Sequence, residues 1–199
     1  MKKSLLLLAL LIMGFFAATA QNDTVCAGAT GVSYWLGGRA GSTYTWTVNG
    51  GTQASGGSTD SITIDFSATA GLDTLIVLET DSNGCLGEPV KLAIVRVAPP
   101  TATIAGTTSL CYEDSTQVTI TLTGMGPWDL TYDEGSGNTN LSITSSPYVI
   151  NTSSLSATKT YTLVQVVDRF TCTTALSGAT AQSVVTVFPQ VVTPGIQHN

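Results

Sequence analysis

Four cysteines, Cys26, Cys85, Cys111 and Cys172, are the residues of this 199-residue chain best suited to covalent chemistry. No two form a C-x-x-C, and the only histidine is His198, beside the C-terminus. That inventory disfavours a zinc site or a thiol–imidazole nucleophile, and in an exported chain it reads as two disulfides. Four cysteines permit three connectivities. Cys26 precedes Cys85 by 59 residues and Cys111 precedes Cys172 by 61, while the two first members lie 85 apart and the two second members 87 apart. Equal spans repeated at an equal offset mark a tandem duplication. The spacing therefore predicts Cys26–Cys85 and Cys111–Cys172, one bridge in each copy.

Other chemistry is thinly supplied. General acid–base catalysis needs a positioned base, most often histidine, and Asp60, Asp65 and Asp73 sit in no catalytic motif, so the chain reads as non-enzymatic with no cofactor. Asp81 and Asn83, in Asp81-Ser82-Asn83-Gly84, offer oxygens at i and i+2 and are weak calcium candidates. They lack the further acids of a calcium loop, and a turn accounts for them equally well. Trp46 and Trp128 fall in matching alternating segments and are expected in the cores. Trp35, in Tyr34-Trp35-Leu36, is the best candidate for an exposed binding contact.

These residues must be positioned by a chain that begins with an address. Lys2 and Lys3, the apolar run from Leu5 to Phe16, and Ala18-Thr19-Ala20 form a signal peptide over residues 1–20, with cleavage expected before Gln21. The mature protein is then expected in the periplasm or at the cell surface, without a spanning segment. Losing Lys2 and Lys3 takes the formal charge from −6 to −8, which argues against nucleic acid and anionic membrane surfaces. About a quarter of the residues are Ser or Thr and only 10% are charged, a composition suited to sheets with hydroxyl-bearing faces.

Alternation supplies the strands. Tyr44, Trp46 and Val48 alternate with threonines before Asn49-Gly50-Gly51, a hairpin signal. Ile62, Ile64 and Phe66 alternate, Leu75–Leu78 is continuously apolar, and 90–97 forms a last strand. Val118, Ile120 and Leu122, then Trp128, Leu130 and Tyr132, then 161–167 and 184–188 repeat the scheme. The fold class is all-β: two tandem β-sandwiches over 21–98 and 101–188, joined at Pro99-Pro100 and followed by a tail over 189–199. Leu155, Thr158 and Tyr161 have the spacing of a tyrosine corner; a plain core tyrosine is the alternative.

The first copy resembles the PKD-like and immunoglobulin-like repeats of surface proteins from gliding, type IX-secreting Bacteroidetes. The resemblance is carried by the run 41–51, Glu79 and Gly84-Cys85-Leu86-Gly87. The second copy resembles a companion repeat through Thr103-Ile104-Ala105-Gly106-Thr107, Cys111, Gly126-Pro127-Trp128, Ser146-Pro147-Tyr148 and Thr160-Tyr161-Thr162-Leu163. It implies two tandem immunoglobulin/PKD-like sandwiches in a spacer or adhesive role, with an envelope or cell-surface protein as partner; the alternative is a direct adhesin or carbohydrate-binding module. The family's long members end in a sorting domain, and no such signature is visible here, so the chain reads as an accessory piece rather than a free-standing adhesin. The tail mixes Val191, Val192 and Ile196 with Pro194 and Gly195. It either docks in extended form on a partner's sheet edge, with Ile196 as a contact, or prolongs the last strand.

Overall fold

The computed structural model describes residues 21–198; the expected signal peptide lies outside them. Seven strands make the first unit: β1 (Gln21–Cys26), β2 (Val32–Trp35), β3 (Thr43–Asn49), β4 (Gly51–Gly56), β5 (Ser61–Phe66), β6 (Gly71–Thr80) and β7 (Val90–Val97). They form two sheets, β1-β7-β6-β3 and β2-β5-β4. The alternation does what its period demands. Ile62, Ile64 and Phe66 of β5 and Leu75 of β6 turn inward and are buried, with Val25 and Ile94 completing the cluster; Val77 of β6 is buried as well. Burying such side chains is worth about 1.5–3 kcal/mol each.

The second unit comprises β8 (Ala102–Ala105), β9 (Thr108–Cys111), β10 (Gln117–Leu122), β11 (Trp128–Asp133), β12 (Asn138–Ile143), β13 (Tyr148–Asn151), β14 (Lys159–Val167), β15 (Thr173–Ala175) and β16 (Gln182–Phe188). Its sheets are β12-β11-β14-β16-β9, with β15 beside β14, and β13-β10-β8. Each sheet and each buried cluster belongs to one unit alone. The duplication is legible in the pairing. β1 runs parallel to β7 as β9 runs parallel to β16, and β3 pairs β6 as β11 pairs β14. Both units are therefore immunoglobulin-like sandwiches.

Two features depart from the sequence reading. Asn49-Gly50 does not make a hairpin, because β3 pairs with β6 and β4 pairs with β5. The chain instead crosses from one sheet to the other there. Gly50, at φ 97°, passes so close to Asp73 that an added Cβ would fall 1.6 Å from Oδ1, so the glycine serves a close approach. Asp73 is buried and held in a fork by Arg96, with Nε donating to Oδ2 at 2.5 Å and Nη2 to Oδ1 at 3.0 Å.

The second departure is the disulfide. Cys26 is bonded to Cys172, with Cα atoms 5.5 Å apart, and Cys85 and Cys111 are free and exposed. The expected Cys26–Cys85 and Cys111–Cys172 bridges are thus corrected. Cys26 ends β1 opposite Val97, at the pole where Gly71 faces Arg96. Cys85 follows β6 at the other pole, roughly 30 Å away at about 3.3 Å per residue. A disulfide requires Cα atoms within about 7 Å, so the two cannot meet. The same holds in the second unit, where Cys111 lies opposite Phe188 and Cys172 follows the far end of β14.

Candidate functional site

Two places on the molecule combine exposed groups with a defined geometry: the joint between the units, with its equivalents at the two free poles, and the mouth of the first sandwich.

At the joint, Cys26 is followed by a turn in which the Ala29 N–H donates to the Cys26 carbonyl at 3.1 Å, with Gly28 at φ 83°. Cys172 closes a different turn. Asp168 Oδ1 accepts the N–H groups of Phe170 (2.9 Å) and Cys172 (3.0 Å), and the Asp168 N–H donates to the Cys172 carbonyl at 3.0 Å. The linker is drawn onto the second unit at this pole. Pro100 is fully buried, and its carbonyl accepts the Thr174 hydroxyl at 2.6 Å. Peptide and disulfide therefore tether the units twice.

Both cysteine turns recur at the free poles. Asp81 Oδ1 accepts the N–H groups of Asn83 (2.8 Å) and Cys85 (2.7 Å), and the Asp81 N–H donates to the Cys85 carbonyl at 3.0 Å. The Cys85 hydrogen bond is the largest influence holding the Asp81 carboxyl below its ordinary value. Asp81 and Asn83, the weak calcium candidates, are thus occupied with one another and with the turn. Among the described residues, no three His, Cys, Asp or Glu side chains gather as metal ligands. Cys111 repeats the Cys26 turn, its carbonyl accepting the Asp114 N–H at 3.1 Å with Glu113 at φ 69°.

The mouth of the first sandwich is a cleft of about 360 Å³ where β2 and β1 part, lined by Asp23, Tyr34, Trp35, Trp46, Val90 and Leu92 among others. Alternation along β2 turns Tyr34 inward and Trp35 outward, leaving Trp35 75% exposed at the rim. The Tyr34 hydroxyl donates to Asp23 Oδ2 at 2.8 Å; burial first, then that bond, keep the phenol protonated far above its ordinary range. Trp46 is half-buried and donates to the Thr59 carbonyl at 2.9 Å, whereas Trp128 is buried. Aromatic faces beside a fixed carboxylate can stack on and hydrogen-bond a neutral polar ligand.

Ile196, the other expected contact, is fully exposed and stands apart from the cleft, as do Val191 and Val192. The last strand ends at Phe188, so the tail does not prolong it. Tyr161 is a core tyrosine, its phenol pushed up by burial, and the neighbouring Thr158 hydroxyl accepts the Val187 N–H at 3.1 Å. Sequence reasoning missed the cross-unit bond, although the shared Asp-x-x-x-Cys spacing of Asp81–Cys85 and Asp168–Cys172 could have marked both turns.

Residues 15–93 match the family model of a PKD-like domain. Among curated proteins no sequence matches. Of the solved structures, the titin I-band fragment I67–I69 is 12% identical with a TM-score of 0.48, covering 83% of this chain, which spans 62% of that fragment. The fibronectin(III)-like modules of Clostridium thermocellum CbhA are 12% identical with a TM-score of 0.40, covering 92% of this chain and 98% of theirs. The four N-terminal Ig domains of Dscam1 are 13% identical with a TM-score of 0.35, covering 86% of this chain and 44% of theirs. Domains of the PKD-like and immunoglobulin-like kinds are generally structural or interaction modules. Disulfides persist in oxidising compartments outside the cytoplasm, and Cys26–Cys172 points there for this chain. Among the described residues no helix is long and apolar enough to cross a membrane.

Proposed function

We propose that the chain is a non-catalytic, exported structural and interaction module of the cell envelope, an accessory subunit of a surface adhesin or of its outer-membrane partner. The doubly tethered joint carries this reading. A single Pro-Pro link leaves torsional freedom, whereas a second covalent tether fixes one sandwich against the other and turns the pair into a stiff arm. The exposed tail, with Val191, Val192 and Ile196 uncovered, supplies an extended segment for docking by strand addition. Capture from outer-membrane extract tests the proposal. The full chain should retain a stoichiometric envelope protein that a chain lacking 193–199 releases, with the melting temperature nearly unchanged. Equal capture by both chains would remove the tail as anchor.

A second reading has its own observation. The Trp35–Tyr34–Trp46 cleft with Asp23 supports a direct adhesin or carbohydrate-binding role. Glycan-array binding lost in Trp35→Ala, without an envelope partner, would favour it.

A further inference from the structure

The joint inside the chain is built from two unlike halves, and the molecule carries a spare of each. The half donated by the first unit is the cysteine at the end of the strand parallel to the last strand, Cys26, whose equivalent is Cys111. The half donated by the second unit is the Asp-x-x-x-Cys turn of Cys172, whose equivalent is Cys85. Cys111 stands at the trailing pole of the second unit and Cys85 at the leading pole of the first. We infer that copies of this chain join head to tail, with Cys111 of one copy bonded to Cys85 of the next, so that the joint between copies repeats the joint within each. The partner in the proposed function is then, at one of its faces, a second copy of this chain; the inference rests on that reading of the chain as an interaction module.

A further observation supports a covered contact at these poles. Each free thiol lies beside an uncovered apolar side chain: Leu86, 71% exposed, follows Cys85, and Phe188, 56% exposed, pairs with Cys111 in the sheet.

The tail completes the correspondence. Val97 lies opposite Cys26 and Phe188 opposite Cys111, so the two positions are equivalent. From Val97 the chain runs through Pro99-Pro100 into β8, which lies antiparallel along β10 with Ile104 opposite Ile120. From Phe188 it runs through Pro189 into Val191, Val192 and Ile196. In the first unit the counterpart of β10 is β2, which pairs β5 on one side and, among the described residues, no strand on the other. The tail of the preceding copy, laid antiparallel along β2, fills the place that β8 fills in the second unit. It enters at Trp35, the residue of β2 nearest the Cys85 pole. Unlike ends that join in one direction generate an open filament rather than a closed dimer.

Bond formation requires an oxidant, here a disulfide such as oxidised glutathione or a disulfide-carrying thiol oxidoreductase. The Cys111 thiolate attacks the disulfide and releases one thiolate. The Cys85 thiolate of the next copy then attacks the mixed disulfide at the Cys111 sulfur and releases the second. Two protein thiols are oxidised, one disulfide is reduced to two thiols, and the two protein protons end on the released thiolates.

The test uses the full chain expressed through its own leader, as an equal mixture of light and heavy-isotope protein treated with oxidised glutathione. A ladder of dimers and higher species on a non-reducing gel is expected. The Cys85 and Cys111 tryptic peptides should be linked, half of the pairs carrying one light and one heavy member. Cys85→Ser and Cys111→Ser should each lose every species above monomer when treated alone, and together they should give a dimer and nothing larger. Deleting 193–199 should slow the ladder by roughly tenfold, through loss of the docking that raises effective thiol concentration. Symmetric dimers from either single variant, pairs carrying only one isotope, or chains that stay monomeric with both thiols reactive would each overturn the inference. Envelope capture repeated with the double serine variant separates the two readings. Capture that persists there while the wild-type ladder fails leaves the proposed function standing and removes self-assembly.

Discussion

The two sandwiches share a strand scheme but not a core. Among the described residues, the second has a buried apolar cluster of fifteen around Trp128, Leu130, Tyr161 and Leu163, while the first has one of six and gives an inward position of β6 to Asp73, forked by Arg96. The same fold is thus closed in one copy by apolar packing and in the other partly by a desolvated ion pair. Each copy is therefore vulnerable in its own way. An apolar core loses stability in proportion to the volume removed, whereas a buried ion pair fails abruptly when one partner goes. The polar first copy also keeps the open mouth, with Trp35 at its rim, and an edge of β2 that no strand covers among the described residues.

The comparison can be broken most decisively at the ion pair. Arg96→Ala leaves the Asp73 carboxylate buried without its fork and should cost the first sandwich about 3–5 kcal/mol. Calorimetry of the intact chain should show the first unit's transition lowered and the second's in place. If both transitions fall together, the two copies are one cooperative unit and the contrast is void. Leu130→Ala in the second core should cost about 2–5 kcal/mol, moving the other transition alone.

Expressing the copies apart sharpens the same contrast. With the bridge running between units, neither 21–98 nor 100–199 contains a disulfide of its own, so each must fold on its core. The 100–199 half should fold cooperatively even under reducing conditions. The 21–98 half should be the less stable of the two by chemical denaturation, and the reverse order would contradict the core comparison. Trp35→Ala should change stability by no more than about 0.5 kcal/mol, because the side chain touches solvent rather than core; a larger loss measured by thermal melting would place it in the fold instead of at a binding surface.

The smallest effect concerns acid. The Asp81 carboxyl is held below its ordinary value of 3.8 by its bonds to Cys85 and Asn83. A depressed carboxyl contributes stability above its unfolded value and loses it as pH falls through the folded one. Alkylation of Cys85 should therefore quicken relative to that of Cys111 only below about that value, when rates are corrected for thiolate fraction. A relative increase already present near neutrality would show that Asp81 does not hold the turn.

Much of this fold was legible in the order of residues. Ile62, Ile64 and Phe66, and Val118, Ile120 and Leu122, declared their strands by period, because one face of each had to be buried. Trp35, in Tyr34-Trp35-Leu36, was legible as an exposed side chain, and it is 75% exposed. Asn49-Gly50 misled because glycine is demanded both by a tight hairpin and by a close approach, and only the position of Asp73 distinguishes them. The cysteines misled for a deeper reason. In a duplicated chain, equal spans and equal offsets hold whether each first cysteine pairs within its own copy or with the next. Only the register of β1 on β7, which puts Cys26 at the joint pole, decides it.

A tryptic map under non-reducing conditions decides whether the bridge runs between the units. The cuts after Arg39, Lys91, Arg96, Lys159 and Arg169 put every cysteine on its own peptide, with Cys26 ahead of Arg39, Cys85 in 40–91, Cys111 in 97–159 and Cys172 in 170–199. The peptide carrying Cys26 should be recovered joined to 170–199 in freshly purified monomer. Recovery of the Cys26 peptide joined to 40–91, with 97–159 joined to 170–199, would contradict the account.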